Sequence, residues 1–192
     1  MTITLNGTTG ITNTGALSVT GITTLGALGS SVITSGTAVA STTGTSIDFT
    51  GIPTWVKRIT VMFSAVSTNG TGTFQIQLGT TSSVEITGYT GATGAAVNLA
   101  SSSVSNPSTG FGIYNGGTLY NIYGNAIITL LDPATNLWCY SFSGANGNTP
   151  NVLTSGGTKA LASTLTRIKI IASATGSASD TFDAGTINIL YE

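Results

Sequence analysis

Histidine is absent from the 192 residues, and cysteine occurs once, as Cys139. Without histidine the chain lacks the commonest metal ligand and the side chain that most often moves protons near neutral pH. Neither a Ser-His-Asp nor a Cys-His arrangement can form, and a single cysteine makes no disulfide within the chain. Charge is scarce as well. Five Lys and Arg face six Asp and Glu, a net charge of −1, and charged residues are 6 % of the chain, against roughly 25 % in ordinary domains. Five cations cannot neutralise a run of phosphates, so no nucleic-acid partner is expected. No apolar run reaches the ~18 residues of a membrane-spanning helix, which argues against membrane insertion. Met1-Thr2-Ile3-Thr4 carries no basic segment and no apolar run follows it, so no signal peptide is expected.

What the chain does have is 26 glycines, an abundance of Thr and Ser, and 40 % hydrophobic residues. Disorder needs low hydrophobicity and high net charge, and this composition offers neither. A surface poor in charge and rich in strand-forming residues invites edge-to-edge association. A closed oligomer that hides its edges resolves that tension, so the composition suggests a scaffold-like, self-associating protein.

The first charged residue is Asp48. Before it, Gly7, Gly10, Gly15, Gly21, Gly26 and Gly29 punctuate single apolar residues, among them Ile3, Leu5, Ile11, Leu17, Ile22 and Leu25. Gly10-Ile11-Thr12 is echoed by Gly21-Ile22-Thr23, and Gly15-Ala16-Leu17 by Gly26-Ala27-Leu28, both eleven residues on. A fixed period argues for a repeated backbone course. Ordering a residue costs about 1–2 kcal/mol and a buried aliphatic returns about 1.5–3 kcal/mol, so one copy of this segment cannot build its own core. Residues 1–45 are therefore expected to form an extended arm for self-association and attachment, in which several chains wind together through those six apolar side chains.

From residue 46 onward the texture is that of strands. In Trp55–Val66, alternation puts Trp55, Ile59, Val61, Phe63 and Ala65 on one face and Arg58, Thr60 and Ser64 on the other. Phe74-Gln75-Ile76-Gln77-Leu78 alternates cleanly, with the glutamines outward. Further strands are expected at 84–87, 111–114, 119–123, 125–131, 137–142, 165–172 and 186–191. Asn69-Gly70, Asn115-Gly116 and Asn146-Gly147 read as hairpin turns, and Asp132–Asn136 as another turn. Helical periodicity is missing, and many short strands mean a sandwich or barrel. Arg58–Val61 followed by Phe74–Ile76 resembles Arg167–Ile170 followed by Phe182 and Ile187–Ile189, a pattern that would suit two strand pairs lying side by side.

Asp48-Phe49-Thr50-Gly51-Ile52-Pro53-Thr54-Trp55-Val56-Lys57-Arg58-Ile59-Thr60-Val61-Met62-Phe63, with Val66–Gly70 after it, resembles a segment of tailed-bacteriophage virion surface proteins. The end of the chain, Asp180–Glu192, resembles the C-terminus of the same group, and the Thr/Gly/Leu-rich N-terminus is similar in texture to phage fibre shafts. The resemblance implies a trimeric β-protein on a particle assembled in the bacterial host cytoplasm. With only about 45 residues before the β-domain, an arm reaching at most about 150 Å when fully extended, a capsid decoration (cement) protein or short head fibre fits better than a long tail fibre. The partners implied are further copies of the chain and other virion proteins such as the major capsid protein.

Two side-chain groups offer chemistry. Asp180 and Asp183 are the only carboxylates close in sequence, and they read as a solvated turn. Tyr114, Asn115, Tyr120, Asn121 and Tyr123 crowd one segment, where flat rings could stack on sugars and amides could bind hydroxyls; the same residues would equally suit a core or a subunit interface. Trp138, Tyr140 and Phe142 share one strand face and read as core, with Cys139 a small buried filler between them. The expectation is an all-β, jelly-roll-like β-sandwich over 46–192 behind the arm. It has no enzymatic activity, no cofactor and no metal. Its role is structural on a virion, with a tail-fibre tip recognising host surface glycan as the alternative.

Overall fold

A computed structural model describes residues 33–97, 101–118, 120–148, 151–173 and 180–192. The six arm residues named above lie outside them. The compact unit to which the described residues belong begins at Val32, so the stretch 33–45 is part of the folded domain.

Among the described residues thirteen strands follow one another: β1 Thr34–Ser35, β2 Val39–Ala40, β3 Ser46–Thr50, β4 Arg58–Thr68, β5 Phe74–Gly79, β6 Tyr89–Val97, β7 Ser101–Ser105, β8 Phe111–Ile113, β9 Ile122–Asp132, β10 Leu137–Asn146, β11 Asn151–Ala160, β12 Arg167–Ile171 and β13 Phe182–Tyr191. Among the described residues there is no helix. A large antiparallel sheet runs in the order β1-β13-β4-β9-β10-β11-β6-β7, with β2 also on β13, and a small one runs β3-β12-β5-β8.

The pairs β3–β12, β4–β9, β5–β8 and β6–β7 nest inside one another along the chain, the first and third in the small sheet, the second and fourth in the large one. That nesting is the jelly-roll pattern. The β10–β11 hairpin is inserted between β9 and β6, and β13 is added outside β4. The fold is thus an all-β sandwich of jelly-roll type, as the strand pattern indicated.

The core is the space between the sheets. The large sheet contributes Ile59, Val61, Phe63, Ile122, Ile128, Trp138, Tyr140, Phe142, Ile187 and Ile189; the small sheet contributes Ile47, Phe49, Phe74, Ile76, Leu78, Phe111, Ile168 and Ile170, all buried. Phe111 stacks face to face on Tyr140 at 4.5 Å and meets Tyr89 edge-on at 5.0 Å. Gly91 and Gly157, facing each other across β6 and β11, make room for this cluster, since a Cβ on either would collide with the opposite strand.

Four expectations fail, each for a physical reason. Asn69-Gly70 and Asn115-Gly116 are not hairpin turns: β4 and β5, like β8 and β9, lie in different sheets, so both dipeptides sit in arches that cross the sandwich. Residues 84–87 form only a single bridge, Gly79 to Val84. Trp55 is 54 % exposed, ahead of the strand, with its ring 6.0 Å from that of Tyr191. The alternation of β4 breaks at Ala65, whose φ of 54° marks a bulge; Val66, not Ala65, is the next core residue. Opposite it Gly185 has φ of 97°, and any Cβ there would strike the Ala65 carbonyl. The repeated pattern of the two strand pairs has a structural counterpart: β4 pairs with β13 and β5 with β12, so the two strand pairs lie side by side.

Candidate interaction surface

The outer face of the large sheet is built from side chains alternate to the core set. Cross-strand register gives its rows. Thr60, Ile127, Ser141, Gly156 and Ala92 form one; Met62, Asn125, Ser143, Thr154 and Gly94 the next; Tyr123, Ala145, Val152 and Ala96 a third; and Thr129, Cys139, Thr158 and Thr90 a fourth. None of these residues is charged, but Arg58 stands opposite Thr129 at the β4 end of the fourth row. Leu131 and Val152 are 61 % and 63 % exposed, and Ile127 and Tyr123 are also open to solvent. Cys139 is half-buried on this outer face and free, not enclosed in the core, because Trp138 and Tyr140 take the inward positions. The first two rows are short in side chain and uncharged across five strands, with Arg58 at the corner of the fourth, a composition that packs against another protein surface with little desolvation of ions.

The five Tyr and Asn residues are drawn to the loops at one end of the sandwich, and most of them bind loops to one another. Asn115 is buried; its Nδ2 donates to Thr68 Oγ1 at 3.2 Å and Gly72 O at 3.2 Å, tying the β8–β9 arch to the β4–β5 arch. The Asn121 N–H donates to Asn146 Oδ1 at 3.0 Å. Tyr120 accepts from Asn151 Nδ2 at 2.9 Å and, like Tyr114, packs on the core. Gly116 sits between the rings of Tyr114 and Tyr120, where a Cβ would come within 2.9 Å of each. Only Tyr123 presents its ring outward, in the same row as Val152. The five residues therefore do not make one open sugar platform: Asn115 is a buried staple, and Tyr123 belongs to the large-sheet face.

The carboxylates do not form a solvated turn. Asp180 is 8 % exposed and its Oδ2 accepts the Gly72 N–H at 3.0 Å; Asp183 accepts the Ser67 hydroxyl. Gly70 and Gly72 are required there because a Cβ on either would run into the Asp180 carboxyl. Among the described residues no three His, Cys, Asp or Glu side chains converge on a common point.

Two of the ion pairs sit at the margins of the sandwich. Arg58 pairs with Glu192, whose backbone also exchanges hydrogen bonds with Arg58. Lys169 lies 3.8 Å from Asp48 on the small sheet. Arg58 borders the fourth row beside Thr129, and neither pair enters the first three rows.

Compared with known proteins, the chain matches no family model, no curated protein and no solved structure.

Proposed function

We propose that the protein is a structural component of a bacteriophage virion, a homotrimeric capsid decoration protein or short head fibre that stabilises the particle surface. The observation that carries this reading is the outer face of the large sheet, charge-free but for Arg58 at its edge, with Ile127, Leu131, Tyr123 and Val152 exposed. Such a face gains by association, and the sequence resemblance of Asp48–Phe63 and Asp180–Glu192 points to phage particles as the setting. The mechanism is mechanical: apolar area buried between subunits resists dissociation, at roughly 25 cal/mol per Å². The other partners would be virion proteins such as the major capsid protein.

A second reading, a tail-fibre tip that recognises host surface glycan, is favoured by the outward ring of Tyr123 beside the loop end. Antibody labelling of particles with cryo-electron microscopy and a copy count separates the two. Hundreds of copies on the head support decoration, and a few at a tail end support the tip. Particles without the protein exclude both. Mass photometry at micromolar concentration should give a trimer, and a monomer alone would overturn the assembly.

A further inference from the structure

The outer side of the small sheet carries an open cleft of about 360 Å³, next to Asp180 and away from the uncharged face of the large sheet. We propose that this cleft binds one unit of a neutral saccharide. The inference goes beyond the structural role above and does not depend on it.

The cleft has the marks of a built site. Asp180, nine-tenths buried, has one oxygen engaged by the Gly72 N–H, and no other protein donor among the described residues reaches its carboxylate. The Ser173 hydroxyl beside it is buried and has no hydrogen-bond partner among the described residues. Leaving the second Asp180 oxygen unpaired costs stability, so a ligand that satisfies it is favoured. Gly72 permits the arrangement, because a Cβ there would collide with both the Ser173 side chain and the Asp180 carboxylate. Gln77 is fixed at the edge by its Nε2 bond to the Thr109 carbonyl at 3.0 Å.

The lining also selects the ligand. Lys169 is the one cation among the described lining residues; it lies 3.8 Å from Asp48, and Asp180 lines the same cleft. The balance of charge is not positive, which disfavours phosphate and carboxylate ligands. Ile171 is its one apolar side chain and no aromatic ring lines it, so flat bases and lipids find no platform. Carboxylate, hydroxyl, carboxamide and ammonium groups set close together are the set that hydroxyl groups satisfy as both donors and acceptors. The volume is at the low end for small-molecule sites, which run from about 300 Å³ upward, and so suits a single sugar ring.

The test is a titration of the isotope-labelled full chain with methyl glycosides of glucose, galactose and N-acetylglucosamine at millimolar concentration, followed by amide chemical shifts. At least one sugar should shift the amides of Gly72, Ser173 and Asp180 in a saturable way. Asp180→Asn, which keeps an acceptor for Gly72, should weaken that sugar roughly tenfold or more, the loss expected for one charged hydrogen bond. Ser46→Phe, placed at the half-buried rim, should abolish binding while the remaining spectrum stays folded. The proposal is overturned if no sugar saturates these shifts, if the sugar shifts only residues around Tyr123, if inorganic phosphate binds in its place, or if both variants bind as tightly as the parent chain.

Discussion

Lys159 points from β11 to the core side of the sandwich, where its Nζ lies 2.5 Å from Glu85 Oε2 and 5.5 Å from the centre of the Tyr89 ring. The two side chains are 6 % and 19 % exposed. Lys159 also donates to the Ala160 carbonyl at 2.6 Å, and Glu85 Oε1 accepts the Ala162 N–H at 2.8 Å. The Tyr89 hydroxyl completes the cluster by donating to the Glu85 carbonyl at 3.0 Å and accepting the Leu78 N–H at 2.7 Å. The irregular stretch before β6 is thus clamped to β11 by one ion pair.

Lys159→Met should destabilise the domain by about 3 kcal/mol, the low end for breaking a buried pair, because the Glu85 carboxylate is left without its counter-ion. The double variant with Glu85→Gln should recover part of the loss. Chemical denaturation of the four chains in a double-mutant cycle reads the coupling; strict additivity would mean that the pair is not coupled.

Stability should fall at both ends of the pH scale. Burial pushes the Glu85 carboxyl up, but the Lys159 hydrogen bond, the Ala162 N–H and the lysine charge together outweigh it and hold the group below its ordinary 4.5. A depressed carboxyl contributes stability above its unfolded value and loses it as pH falls through the folded one. Burial raises Tyr89 and Tyr140 above the ordinary phenol value of 10. Their contribution is present below pH 10 and is lost above it, when the unfolded chain ionises first. Melting temperature should therefore decline below about pH 4.5 and above about pH 10, and Glu85→Gln should flatten the acid limb alone.

Gly185→Ala should cost at least about 2 kcal/mol, from a side chain forced to positive φ and a collision with the β4 bulge. Ala65→Gly should be neutral or slightly stabilising, since glycine adopts φ of 54° freely but has more entropy to lose on folding. Thermal melts of the two variants should rank in that order.

Removing residues 1–31 should leave the domain folded with its melting temperature nearly unchanged, whereas removing 1–45 should lower it. The second truncation takes away β1 and β2, and with them fully buried Ser41, whose N–H and hydroxyl satisfy the carbonyls of Gly185 and Ala184 at 2.9 and 2.8 Å. Equal melting temperatures would show that these strands add nothing.

Alternation was legible where one face met the core and the other met water. Ile59, Val61 and Phe63 on β4 and Trp138, Tyr140 and Phe142 on β10 lie inward as the pattern required. It misled on β5, where Phe74, Ile76 and Leu78 are indeed fully buried but Gln75 is also 0 % exposed. A loop closes over its outer side, and Thr109 donates to Gln75 Oε1 at 3.0 Å. Gln75→Asp should consequently be damaging, as Ile76→Asp is, by several kcal/mol, and not the silent change that an outward glutamine would allow. β6 and β11 went unseen because Gly, Ala, Thr and Ser carry no hydrophobic period to read. The candidate surfaces were the least legible part. The large-sheet face exists only through cross-strand register, and the Asp180 cleft is assembled from residues far apart in sequence.

The nested pairing has a consequence for how quickly the chain folds. β4 must wait for β9 and β13, and β3 must wait for β12, each many tens of residues downstream. Contacts so distant in sequence place folding on the order of milliseconds to seconds. The meander β9-β10-β11 is a large-sheet segment that can form early from local contacts, as the β6–β7 pair can, and it carries Trp138, Tyr140 and Phe142. Until β4 docks beside it, that meander offers a nearly charge-free edge to every other nascent copy, so yield of native protein should depend on concentration during refolding as much as on the stability finally reached.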